Sequence, residues 1–246
     1  ALVLWFGWIV IVQALGCIGL VYVFFYAFFV KQVKPAEEEK TGAKKGSKKE
    51  YFVKLLHFSI IWKLVVCAFC ISCINKGLDA WMPTYLIAER GINLKAVGYL
   101  TPIPFIASFL STAICGWVMT KYFDKKENWM IVICAAMTAI FLYFMYNAET
   151  IMWVVIFQCG VYFFKACILG TAVAIVLKIV TGSIAGCTST LINMGGQVAG
   201  FISPIIMGYL VYAFNGSFNA VFYYLMGVAA LCAISALLIP TRKEDM

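Results

Sequence analysis

Two lysines stand in the middle of long apolar segments. Lys76 lies midway between Lys63 and Ala88, and Lys165 lies midway between Ile151 and Lys178. A charge near the bilayer centre costs at least about 2.5 kcal/mol on the insertion scale, so such a residue normally faces a cavity or a partner. Asp79 follows Lys76 by three residues and shares its helical face, which pairs these two in the sequence. Lys165 is then the uncompensated charge, because its flanks at 161–164 and 166–169 hold no carboxylate. Asn193 and Gln197 lie four apart in a further apolar segment and present two amides on one face, able to bond a polar ligand or a neighbouring helix. Two ammonium groups, one carboxylate and two amides describe a site for a small organic anion, with one positive charge left unmatched. No nucleotide loop, nucleophile–base arrangement or zinc motif accompanies them. With one histidine, His57, and no paired carboxylates, general acid–base catalysis has no candidates, so the chain is expected not to be an enzyme.

The elements that must position these residues follow from composition. The 246 residues are 64% hydrophobic and 12% charged, with a mean hydropathy of +0.94, which excludes a soluble globular domain and a disordered chain. Seven membrane spans are predicted, at about 4–30, 57–87, 97–119, 129–147, 151–177, 184–214 and 220–240. Hydrocarbon offers the backbone no hydrogen-bond partner, and segments this long and uniformly apolar satisfy themselves only as helices. The fold class is therefore an all-α membrane protein with seven transmembrane helices.

Residues 31–56 break the pattern with eight of the 19 Lys and Arg and read as a solvated linker. The other basic residues gather mainly between the third and fourth spans, after the fifth and at the C terminus, while the opposite loops hold only Arg90 and Lys95. Positive charge is retained inside during insertion, which puts the linker and the C terminus in the cytoplasm, in a plasma or inner membrane. The net charge of +8 thus reports topology and contact with anionic lipid, and nucleic acid is not an expected partner.

The ten cysteines all fall within predicted spans, where small packing roles are expected and neither metal nor cofactor is. Cys67, Cys70 and Cys73 share one face of the second span, an arrangement with the ligand type a soft metal requires. In the sixth span Gly196, Gly200, Pro204 and Gly208 recur every four residues, a spacing that lets helices approach closely. Pro102 and Pro104 interrupt the hydrogen-bond ladder of the third span near its outer end.

The segment Lys76-Gly-Leu-Asp-Ala-Trp-Met-Pro-Thr-Tyr-Leu resembles the seventh helix of major facilitator transporters, in their organophosphate:phosphate antiporter and anion:cation symporter branches. Gly116-Trp-Val-Met follows at the expected distance, and Asn193-Met-Gly-Gly-Gln with Ser203-Pro-Ile-Ile-Met-Gly-Tyr is similar to the eleventh helix of the symporters. The resemblance implies alternating access of two six-helix bundles around a central site. It makes 1–30 the last helix of a missing N-terminal bundle, 31–56 the inter-domain linker and 57–246 the C-terminal transport bundle. It also implies that Asn193 contacts substrate. Asn75 stands where the antiporters carry arginine, with Lys76 one position on, and Thr120 stands where an aspartate is expected.

The expected function is secondary active transport of a phosphorylated or carboxylated metabolite, driven by proton symport or phosphate exchange. Lys76 and Lys165 would hold the anion, Asn193, Gln197 and Asn75 its polar body, and Asp79 would tune Lys76 or couple protons. The alternative is a seven-helix receptor or retinal-type protein, which could also use a buried lysine. Against it stand the lysines' positions in the second and fifth spans and the long first inner loop.

Overall fold

The computed structural model describes residues 2–29, 59–123, 126–179 and 183–239. The linker expected at 31–56 lies outside them. Among them are seven helices long and apolar enough to cross a membrane, and no strand. The chain divides into two units, Ala1–Ser47 and Lys48–Met246.

The first unit holds one described helix, α1 (Leu2–Phe29), whose apolar side chains from Trp8 onward are largely exposed, as suits a segment that meets lipid or another span. Its one irregularity is Gly7, with φ 73° and ψ 157°, a conformation that only glycine enters without strain.

The second unit holds α2 (Ser59–Ala88), the short α3 (Leu94–Leu100), α4 (Ile103–Tyr122), α5 (Glu127–Asn147), α6 (Ile151–Ile179), α7 (Ser183–Ala213) and α8 (Asn219–Leu237). α3 and α4 together form the third span, and Pro102 separates them. The predicted start at 97 was late because Asn93 caps α3, its side chain accepting from the Ala96 N–H at 2.8 Å.

α2 is the axis of this unit and packs against α7, α8 and α6; α5 lies between α6 and α8, and α4 rests on α6. Successive helices alternate in direction, which sorts the loops into two ends. At one end Glu89 Oε1 accepts from the Phe218 N–H at 2.8 Å, and Arg90 Nη1 donates to the Glu149 carbonyl at 3.5 Å. At the other, Lys178 Nζ meets Glu127 Oε1 at 2.6 Å, and Asn128 Nδ2 donates to the Ile239 carbonyl at 3.4 Å.

These helices are apolar all round, so small and hydroxyl-bearing residues rather than an oily stripe decide which face turns inward. Ser111 Oγ donates to Phe163 O, and Ser203 Oγ donates to Cys73 O at 2.8 Å, each crossing between helices while fully buried. The thiols act as packing groups: Cys67, Cys70 and Cys73 are buried in α2, and Cys67 Sγ lies 3.5 Å from Cys232 Sγ of α8. No cluster of three His, Cys, Asp or Glu able to hold a metal occurs among the described residues.

The α2–α7 contact is the most extensive helix pairing in the unit, and its parallel register is set by glycine. A Cβ on Gly196 would meet Ser72, one on Gly200 would meet Lys76, and one on Gly208 would meet Trp81. Trp81 Nε1 donates to the Pro204 carbonyl at 3.0 Å, closing the same seam. From the α2 side, a Cβ on Gly77 would lie 2.9 Å from Ser203 Oγ and closer still to Met207 Sδ. Gly77→Val should therefore push α7 away and destabilise the bundle by about 1–3 kcal/mol, read as a lower unfolding temperature in detergent. An unchanged temperature would mean that the seam is looser than these contacts require.

Candidate functional site

The buried part of the site joins α2 to α6. Asp79 sits in the C-terminal half of α2, and one of its carboxylate oxygens, Oδ1, accepts from the Tyr162 hydroxyl at 2.5 Å and faces Lys165 Nζ at 3.5 Å. The Lys165 side chain is 5% exposed and that of Asp79 29%. The ammonium group also lies over the Tyr162 ring, 3.3 Å from its centre, so a carboxylate and an aromatic face share one charge. Tyr162 precedes Lys165 by three residues on α6, which brings ring and ammonium together on one face. The ring is held from α4, where Phe105 meets it edge-on at 5.3 Å and Ser108 Oγ donates to the Tyr162 carbonyl at 3.0 Å.

This arrangement corrects the expected pairing. Asp79 binds Lys165 of α6 rather than Lys76 of its own helix, so Lys165 is the compensated lysine. Side chains three apart on a helix can meet, but a partner on an adjacent helix competes for the same carboxylate. Burial favours the pair that would otherwise leave a charge in the protein interior.

Lys76 takes the opposite situation. It is exposed, and among the described residues no ion pair engages it. Its methylene stem runs along Gly200 of α7, where a Cβ would come within 3.2 Å of Lys76 Cγ. That glycine clears the path by which the ammonium reaches the open face of the α2–α7 pair.

Asn193 and Gln197 lie on α7 and both are exposed. Gln197 is three residues from Gly200 and Asn193 seven, so at 1.5 Å per residue they stand about 4.5 and 10 Å along the axis from the level of Lys76. Asn75 is half-buried beside Lys76. The open face thus presents one unpaired cation and two amides, and behind it lies a neutral cluster of carboxylate, ammonium and phenol. One turn along α2 from Lys76 stands the Asp79 carboxylate, already engaged by Tyr162 and Lys165.

Sequence reading missed Tyr162. Its signal was present, since an aromatic hydroxyl three residues before a mid-span lysine is well placed both to hold the ammonium and to bond that lysine's counter-ion.

The sequence model described as Major Facilitator Superfamily matches residues 1–204. Among curated relatives, a probable galactarate/D-glucarate transporter of Escherichia coli strain K12 is 26% identical over 179 residues, covering 70% of this chain and 38% of its own. A probable sulfoacetate transporter of Cupriavidus necator is 25% identical over 250 residues, covering 93% of this chain and 57% of its own. A hexuronate transporter of Bacillus subtilis is 24% identical over 245 residues, covering 94% and 58%. The chain spans between 38% and 58% of the length of these three relatives.

Proposed function

This chain belongs to the Major Facilitator Superfamily, and from that premise we propose that its six-span unit is the C-terminal half of a secondary active transporter for a small organic anion. In this reading α1 closes an N-terminal bundle, residues 31–56 are a cytoplasmic linker, and the two bundles alternate access to a site between them. Lys76 binds the anionic group of the substrate, while Asn193, Gln197 and Asn75 bond its polar body. The observation that carries the reading is the unpaired Lys76 on the same open face as two amides. The relatives' names support the substrate class, since galactarate, glucarate, sulfoacetate and hexuronates are all organic acids.

Between the two expected drives, the geometry favours proton symport. A proton taken by the Asp79 carboxylate removes the negative charge that holds Lys165, and the released ammonium becomes a second attraction for the incoming anion. One proton and one negative charge then move together, and the buried charge stays balanced. Phosphate exchange would instead use cations that bind without protonation, and of the two mid-span lysines Lys165 is engaged by Asp79.

Uptake by the purified native protein in liposomes tests this. Labelled sugar acids should accumulate under an inward proton gradient with no internal phosphate. Accumulation that requires internal phosphate would replace symport by exchange, and failure to move any sugar acid or sugar phosphate under either drive would remove the substrate class.

A further inference from the structure

A second binding site is suggested at the end of the unit where α4 meets α5. Ile114 and Val118 of α4, Met130 and Ile133 of α5, and Phe163 and Phe164 of α6 line a crevice of about 180 Å³ that contains no charged or amide side chain. It opens outward at Ile114 and Ile133, which are 45% and 46% exposed. Cavities of roughly 150 Å³ with such linings take up apolar molecules and stay dry. In a membrane-spanning bundle the medium at this opening is acyl chain.

The crevice runs towards a basic and aromatic cluster. Ile114, Val118 and Lys121 are spaced i, i+4, i+7, so the apolar stripe of α4 continues into a lysine about 10 Å along the axis. Lys121 Nζ is held over two exposed rings, 4.7 Å from Trp117 and 5.4 Å from Tyr122. Across the opening, Trp129 stands four residues before Ile133 on one face of α5, and Lys126 immediately precedes that helix, exposed. The described carboxylate in this corner, Glu127, is paired with Lys178 at 2.6 Å. Indole rings at this level mark the membrane–water interface.

We propose that this crevice and the lysines at its end bind one anionic glycerophospholipid, with an acyl chain between α4 and α5 and the phosphate at Lys121 and Lys126. A free phosphate would use the lysines without the crevice, and an uncharged lipid would use the crevice without the lysines. The continuity of stripe and cluster on one face of α4 fits a ligand with both parts. This inference does not depend on the transport reading.

The test compares dioleoylphosphatidylglycerol with dioleoylphosphatidylcholine, counting lipids retained by the purified native protein in native mass spectrometry and following its unfolding temperature. Each lysine near a headgroup contributes roughly a fivefold preference, so phosphatidylglycerol should be favoured about 25-fold. Lys121→Gln with Lys126→Gln should bring the two lipids level, whereas Lys121→Arg should keep the preference. Ile114→Trp, which fills the mouth at an exposed position, should weaken phosphatidylglycerol binding with both lysines intact. Soluble glycerol phosphate should not compete. Equal binding of the two lipids by the unmodified protein, a preference that survives loss of both lysines, or full competition by glycerol phosphate would each overturn the proposal.

Discussion

Asp79→Asn is expected to lower the unfolding temperature of the purified protein sharply and to abolish proton-driven uptake. The substitution keeps an acceptor for the Tyr162 hydroxyl and nearly the same volume, so it removes little besides the charge. What remains is Lys165, 5% exposed, with an aromatic ring beneath it but no carboxylate. Breaking a buried pair by deleting one partner costs about 3–5 kcal/mol, most of it the penalty of the charge left behind. The diagnostic variant is Asp79→Asn with Lys165→Gln, in which both charges are gone. It should recover most of the lost stability, because the uncompensated ammonium has been removed, and it should still fail to couple uptake to protons. Lys165→Gln alone should cost less than Asp79→Asn, since Asp79 is 29% exposed and keeps its phenol donor. If Asp79→Asn melted at the temperature of the unmodified protein, the pair would carry no structural weight and its assignment to coupling would lose its basis.

The second large effect is expected at Lys76, with the opposite signature. Lys76→Gln removes a cation that is exposed and engaged in no described ion pair, so stability should change by no more than about 0.5 kcal/mol. Substrate affinity should fall about 10- to 150-fold, since a hydrogen bond to a charged group is worth about 1.5–3 kcal/mol and each 1.4 kcal/mol is tenfold. Lys76→Arg should retain part of the affinity, because it keeps the positive charge and its stem can follow the same path beside Gly200. The measurement is the substrate Kd or the KM of uptake beside the unfolding temperature. Lost stability at Lys76, or unchanged affinity, would place the anion elsewhere.

The contrast between these two lysines was only half legible in the sequence. Both were visible as charges inside apolar segments, and span number and the sorting of loops into two ends followed from hydropathy and charge alone, with the capped start of the third span the limit they missed. The break at Pro102 was visible too, because proline removes a backbone donor wherever it falls. What a single chain does not display is which helices touch. Spacing alone gave Asp79 to Lys76 and left Lys165 without a partner, because each lysine sits in a helix that is apolar all round, with no polar stripe to tell an inward face from an outward one. The carboxylate that distinguishes them is three residues from one lysine and 86 from the other, and the distant one claims it. The glycines were the better guide. Gly196, Gly200 and Gly208 announced a close helix contact, and the structure supplies the partner, α2.

Glu89 and Arg90, which join the α2–α3 turn to the α7–α8 and α5–α6 turns, have a mechanical consequence. Three successive pairs of helices are fastened together where each would otherwise splay, and Arg90 is braced in turn by the Tyr85 hydroxyl at 2.9 Å. A bundle clamped in this way transmits torque as a lever does: force applied at its other end rotates the whole body instead of fraying one hairpin. The far end has its own ties, Lys178 to Glu127 and Asn128 to the Ile239 carbonyl, so the unit is fastened at both ends of its helices.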